Sequence, residues 1–364
     1  MNHTDREYLI GLNLISQLTP KRIQTLFGRF ETFAGIWNAP ASAFANLFGS
    51  RVLGEAIASA RSETAVDEEF GKAEDKAVHI VTLVDEEYPA VLREIDDPPI
   101  VLYVRGEQPI DSARSIAIVG TRRGTRYGKM VAARFASQLA LKGFIIVSGL
   151  AAGIDAAAHQ GTLDVGGFTV AVMGCGIDYP YPKRNQPIYE GIVETGVVMS
   201  EYPMGSRPAK WTFPQRNRIL AGLSRGVLVI QAPERSGALI TARCALEQGR
   251  DVFAVPGNIN SLTSAGSNRL IKQGAKLVDS VDDIIEEYPD LQLAREDAPT
   301  EDTEPKLGKT EATVYELIGL EPVHMDDIIA RADLSPTEAS HILLLLQLEN
   351  LIEEAEGGRY IRKL

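Results

Sequence analysis

Six short apolar runs dominate the middle of this chain: SIAIVG (115–120), FIIVSG (144–149), FTVAVMG (168–174), GVVMSEY (196–202), GVLVIQA (226–232) and DVFAVPG (251–257). They are rich in β-branched residues, and most end on glycine or a small polar residue. Stretches with helical periodicity lie between them, at about 127–142, 152–165, 185–195, 215–223 and 237–249. A strand that is apolar at nearly every position must be covered on both faces, and helices alternating with such strands supply the cover. The pattern predicts an α/β chain with a doubly wound, mostly parallel, extended Rossmann-like sheet. Ligands of such sheets bind at the carboxyl ends of the strands, where the glycines and polar residues of this chain collect.

The 364 residues are enough for two or three domains. Residues 1–75 read as all-helical, with Thr19 suited to an N-cap and Pro20 to a first helical position; Ile36–Phe48 and Arg51–Arg61 continue the pattern. Short helix pairs of this kind suit a helix-hairpin-helix or SAM-like module, whose helix N-termini can bind phosphate; a packing or dimerisation role fits as well. The segment 67–113, with HIVTLV, DEEYP, Pro98–Pro99 and VLYVRG, leads into the central domain, which spans 76–288. Residues 289–307 are acidic and proline-dotted, the composition of a linker. From 308 to 364 two helical segments precede a capping box at Ser335–Glu338 and a helix running to about Asn350. LIEEA and RYIRKL follow, joined by the Glu356–Gly358 turn. Helices followed by a β-hairpin predict a winged helix.

The net charge of −12 argues at first against a polyanionic partner. Of the 37 Lys+Arg and 49 Asp+Glu, however, 20 and 10 fall between residues 114 and 280, leaving 17 and 39 for the flanks. A basic centre between acidic modules is compatible with an anionic ligand. No apolar run approaches the roughly 18 residues of a membrane span, and the N-terminus does not read as a secretory signal. Cys175 and Cys244 are expected as reduced thiols of a cytoplasmic protein.

The first strand–helix junction, GTRRGTRYG, favours an anion through glycine-lined backbone and a helix N-terminus, with Arg122, Arg123 and Arg126 at hand. Gly120, Gly124 and Gly128 do not form GxGxxG, Gly128-Lys129 fails as a Walker A loop, and Ser148-Gly149 stands where a ribose-binding acid is expected. No nucleotide cofactor is therefore expected. SGLAAGIDAAAH holds Gly149 and Gly153 at a second helix entrance, explained equally by close ligand approach or tight packing. Asp155 and His159, at i and i+4, read as structural more readily than catalytic. Arg207–Ser224 interleaves Arg207, Lys210, Arg216 and Arg218 with Trp211, Phe213 and Asn217. Cations for phosphates beside aromatic faces for bases make a single-stranded nucleic-acid platform, although either aromatic could instead be core. Lys183 and Arg184 in PYPKRN and Ser236, Gly237 and Thr241 in ERSGALITA complete the candidates. No nucleophile elbow, HExxH or metal-ligand cluster is present in the sequence.

In order, GTRRGTRYG, SGLAAGIDAAAH, GCGIDYPYPKRN, SEYPMGSRPAKWTFPQRNRILAGLS, SGALITARCALEQGRDVFAVPG and GSNRLIKQGA resemble the successive motifs of the DNA-processing protein A family (DprA/Smf). The resemblance implies single-stranded DNA binding without strong sequence preference, protection of the strand, homodimerisation, and delivery of RecA recombinase during natural transformation. It places the family's arginine on Arg122, its lysine after the YP pair on Lys183, and its lysine and aromatic ahead of RNR on Lys210 and Phe213. The family's turn glycines fall on Gly149 and Gly153. Arg216, Arg218, Asn217, Gly120 and Ser236 are further candidates. The alternative is a nucleotide-binding or nucleotide-hydrolysing Rossmann-like enzyme of the PGGxGTxxE type. Here the comparable stretch, SGALITARCALE, lacks the double glycine and the correctly spaced acid. The helix before the expected wing, TEASHILLLLQLEN, has no lysine or arginine; its basic neighbours are Arg359, Arg362 and Lys363. Duplex binding by that module is therefore unfavourable, and a protein-binding or dimerising role is expected.

Overall fold

The β-branched runs form strands as their composition demands. In the computed structural model, which describes residues 4–106, 110–291, 308–319, 322–349, 351–355 and 357–362, the six runs give β3 (Ser115–Val119), β4 (Ile145–Ser148), β5 (Thr169–Met173), β6 (Val197–Ser200), β7 (Gly226–Val229) and β8 (Asp251–Ala254). Ahead of them lie β1 (His79–Thr82) and β2 (Val101–Gly106), and β9 (Lys276–Leu277) follows. The nine-stranded sheet has the order β1-β2-β6-β5-β4-β3-β7-β8-β9. Strands β3 to β9 pair in parallel, whereas β1 and β2 add antiparallel onto β6, with Tyr103 opposite Ser200. The strand order reverses at β3, which has β4 on one side and β7 on the other.

Helices Arg126–Leu141, Ile154–Leu163, Gln186–Thr195, Thr212–Leu223 and Gly237–Glu247 occupy the intervals expected for them. One face of the sheet buries Ile116, Ile118 and Leu228 under the first two; the opposite face buries Ala117, Val119 and Val227 with Ile219 and Leu220. Cys175 and Cys244 are free thiols, and burial pushes Cys175 up to about 12.

The N-terminal segment is helical from Asp5 to Glu74, and Thr19 caps the helix Pro20–Phe30 as expected. The single pattern Ile36–Phe48 divides into Phe33–Asn38 and Ala41–Phe48, because Pro40 holds the preceding residue extended. These helices have no core apart from the sheet: Leu9, Leu12, Ile36 and Phe44 share one apolar cluster with Tyr103, Met173 and Val198. Residues 1–294 accordingly form one compact unit and 295–364 another.

The second unit contains helices Lys309–Leu317, Met325–Ala332 and Pro336–Leu348 and the hairpin Ile352–Ala355/Arg359–Arg362, a winged helix. Ser335 and Glu338 form the expected reciprocal cap. A short strand not anticipated from sequence, Val323–His324, pairs with Arg359–Tyr360. Arg362 is turned inward: its guanidinium lies 4.0 Å from the Tyr315 ring centroid and donates to the Tyr315 and Ile318 carbonyls. Most of the expected linker (292–307), Glu356 of the wing turn and Lys363 lie outside the described residues. Among the described residues no helix is long and apolar enough to cross a membrane.

Candidate nucleic-acid interface

Where the strand order reverses, the loops leaving β3 and β7 diverge and leave a crevice, the usual ligand position in a doubly wound sheet. Here it is a cleft of about 380 Å³, walled by the β3 loop, the start of helix Thr212–Leu223 and the β7 loop. Arg122, Arg123, Lys210, Arg216 and Arg235 line it, against the single carboxylate of Asp155. Five cations and one acid make the cleft electropositive.

The Arg122 guanidinium sits 4.7 Å from the centroid of the half-buried Phe213 ring, and Tyr181 packs on the same ring at 5.8 Å. A guanidinium and an aromatic ring thus lie side by side at the cleft. Lys210 lines the cleft and is exposed. Lys183 is exposed on the turn Lys183–Asn185, two residues from Tyr181 and outside the cleft lining. The buried Asn185 beside it donates to the carbonyls of Leu150 (2.9 Å) and Ala151 (3.2 Å), which fixes that loop to the turn after β4.

Two arginines expected to meet phosphate are held differently. Arg218 is bidentate on Glu201 (2.8 and 2.6 Å) and donates from Nε to the Asp97 carbonyl (2.8 Å). Burial works against its charge, but the Glu201 carboxylate outweighs that and raises its pKa. Arg218 is absent from the cleft lining, and it cross-links the chain instead of facing a ligand. Arg216 does line the cleft but is only 3% exposed; its Nη1 donates to the Val172 carbonyl and its Nε has no protein partner. Burial pushes the Asp155 carboxyl up, against the pull of Arg216 and of backbone N–H groups from Ala151, Gly120 and Gly149. Arg216 is therefore a buried counter-charge forming the cleft floor.

The glycines are explained by packing. A Cβ on Gly149 would collide with the Arg216 guanidinium, and one on Gly120 with the Ile154 side chain. Gly153 has φ +87°, with the Thr121 and Arg122 carbonyls where a side chain would go. Asn217 donates to the Gly237 carbonyl (3.2 Å), and Ser236 caps helix Gly237–Glu247 by accepting from Ala238 (3.3 Å). His159 and Asp155 serve separate partners. His159 accepts from the Leu150 N–H (3.3 Å), holding that residue at φ +52°, and donates through Nδ1 to Thr169 Oγ1, itself bonded to the Ile146 carbonyl. Burial pushes His159 down to about 3, so its imidazole is neutral. Arg235, not among the residues singled out from sequence, joins the cleft; its signal was its place directly ahead of Ser236. Among the described residues no cluster of His, Cys, Asp or Glu could hold a metal ion.

Fold and cleft together define an α/β protein with a basic cleft at its switch point and a winged-helix unit. The family profile described as DNA recombination-mediator protein A matches residues 79–289, and that of the DprA winged helix domain matches 298–358. Protein Smf of Synechocystis sp. is 34% identical over the full length of both chains. DNA processing protein DprA of Bacillus subtilis is 42% identical, over 60% of this chain and 74% of its own. Among solved structures, DprA from Streptococcus pneumoniae superposes with a TM-score of 0.66 at 34% identity, covering 79% of this chain and 99% of that one. DNA processing protein A from Helicobacter pylori, described for its single-stranded DNA binding mode, gives 0.51 at 32% identity, over 57% and 95%. The chain belongs to the DNA-processing protein A (DprA/Smf) family.

Proposed function

We propose that this protein binds single-stranded DNA in the switch-point cleft, without strong sequence preference, protects it, and helps load RecA recombinase onto it as a homodimer in the cytoplasm during transformation and recombination. One observation carries the binding reading: five cations against one carboxylate, with the Arg122 guanidinium over the Phe213 ring at 4.7 Å. Cations neutralise phosphates and an aromatic face accepts any unpaired base, so neither demands a particular sequence. The amide in the cleft, Asn217, already donates to Gly237. On this reading Arg122 and Lys210 take phosphates, Phe213 stacks, Lys183 extends the basic rim, and Arg216 shapes the floor. The acid–base pair Asp155–His159 is occupied within the fold, which favours binding over turnover. The homodimer and recombinase steps rest on family membership. The winged helix, with 5 Lys+Arg against 11 Asp+Glu in 308–364, is a protein-binding or dimerising module on this account.

The test is fluorescence anisotropy of a labelled oligo-dT and a duplex of equal length with the full chain. The single strand should bind far more tightly, and Arg122→Ala/Lys210→Ala should lose that binding while remaining folded. Equal affinity for duplex and single strand, or a double variant that binds as wild type does, would reject the cleft as the site.

A further inference from the structure

The segment that carries Lys210 and Phe213 also carries Trp211, an indole 60% exposed to solvent. Tryptophan presents a large apolar surface, and leaving it in water is unfavourable unless something covers it. We propose that Trp211 is a second base-stacking station on the DNA path, outside the Phe213 cleft and next to it; the proposal rests on the single-strand reading above.

The indole is held in place before any ligand arrives. Thr212, buried behind it, bonds through its hydroxyl to the Gly174 carbonyl and anchors the start of the helix. Tyr202 meets Trp211 edge to face, with centroids 6.1 Å apart and planes at 78°. Tyr202 is itself fixed by its N–H on Ser200 Oγ (3.0 Å) and its hydroxyl on the Thr212 carbonyl (3.1 Å). An edge-to-face contact occupies at most one face of each ring, and with the indole 60% exposed a π-face of Trp211 is available to a base. Phe213 lines the cleft and Trp211 does not. The two aromatics diverge from the anchored Thr212, yet two residues span at most about 7 Å of chain. A strand leaving Phe213 therefore meets Trp211 with a neighbouring nucleotide.

The surroundings suit an anion rather than an apolar protein patch. Residues 202–217 include no aspartate or glutamate, whereas Arg207 and Lys210, both exposed, precede the indole in the same segment. An exposed aromatic on a segment with exposed cations suits unpaired bases of any identity; paired bases have no free face to offer. Trp211 lengthens the footprint of the site without adding base selectivity.

The chain has two tryptophans, and the other, Trp37, is buried in the helical segment. The difference in emission between wild type and Trp211→Phe therefore isolates Trp211 without disturbing the core. We expect oligo-dT to quench this emission saturably, in step with the anisotropy of the labelled oligo, and duplex to leave it unchanged. Trp211→Ala should weaken binding by roughly 5- to 150-fold, and Trp211→Phe by less. If the oligo binds in a Phe213-dependent way while Trp211 emission stays constant and Trp211→Ala binds within twofold of wild type, the second station is wrong and the cleft reading stands. If the wild type binds no single strand, the cleft reading falls as well. Quenching that follows protein concentration without DNA would overturn the proposal in favour of self-association.

Discussion

Replacing Arg218 with methionine should make residues 1–294 easier to unfold and leave the salt dependence of single-strand binding unchanged. The guanidinium joins three stretches of chain: Nη1 and Nη2 donate to Glu201 at 2.8 and 2.6 Å, Nε to the Asp97 carbonyl at 2.8 Å, and Nη1 also to the Gln215 carbonyl at 3.1 Å. Arg218 is 11% exposed and Glu201 7%, so the substitution strands a buried carboxylate. Breaking such a pair costs about 3–5 kcal/mol. With an m-value of about 3 kcal/mol/M, the urea midpoint falls by about 1–1.7 M. Tryptophan emission is the readout, since Trp37 and Trp211 both lie in this unit. Arg218→Met/Glu201→Gln, which leaves no carboxylate at 201 and only the more exposed Asp97 carboxylate, 3.3 Å from Nε, without its partner, should return to within about 2 kcal/mol of wild type. A phosphate-binding arginine behaves otherwise: each lost phosphate contact lowers the slope of log K against log salt by about 0.7 on a single strand. A midpoint within about 0.3 M of wild type, together with a slope lowered by about 0.7, would show that Arg218 serves the ligand and not the fold.

Arg122→Ala and Lys210→Ala should each lower that slope by about 0.7 with the urea midpoint unmoved. Gly153→Ala, at φ +87° against two backbone carbonyls, should cost on the order of 1–3 kcal/mol, read by the same urea titration. Glu69, buried on a helix of the N-terminal segment, accepts the Met204 N–H at 2.7 Å; Glu69→Ala should speed amide exchange through 203–209 and weaken single-strand binding several-fold. His159 is held near 3 in the folded state against about 6.5 unfolded. The unfolded chain therefore binds the extra proton, and stability is lost as pH falls from about 6.5 towards 3, by about 2 kcal/mol at pH 5. The raised Asp155 acts in the opposite direction. The comparison that isolates His159 is thus wild type against His159→Gln, whose stability should fall less steeply over that range.

The parallel sheet was legible because a strand buried on both faces must be apolar at nearly every position, and β3 to β8 are, with Ser115, Ser148, Thr169, Ser200 and Asp251 only at strand ends. The helix starts at Thr19–Pro20 and Ser335–Pro336 were legible because caps are local chemistry. What joins distant residues was not. Nothing near Arg218 indicates that Glu201, 17 positions earlier, will occupy its guanidinium, so the sequence does not separate Arg218 from the other arginines of RPAKWTFPQRNR. The purpose of Gly149 likewise appears only once Arg216 is seen packed over it. Trp211 and Phe213 are two residues apart in the same motif, yet one is exposed and the other lines the cleft. The helical segment read as a module of its own because its periodicity is self-contained; its partners, Tyr103 and Val198 of β2 and β6, lie far along the chain.

Photocrosslinking tests most directly whether single-stranded DNA lies across the switch-point cleft. Full-length protein bound to a 5-iodouracil-substituted oligo would be irradiated, digested and mapped by mass spectrometry. Crosslinks concentrated on the aromatics of 211–213, and lost with Phe213→Ala and Trp211→Ala combined, are the result predicted here. Crosslinks confined to 4–75 or to the winged helix would place the strand elsewhere and contradict the account.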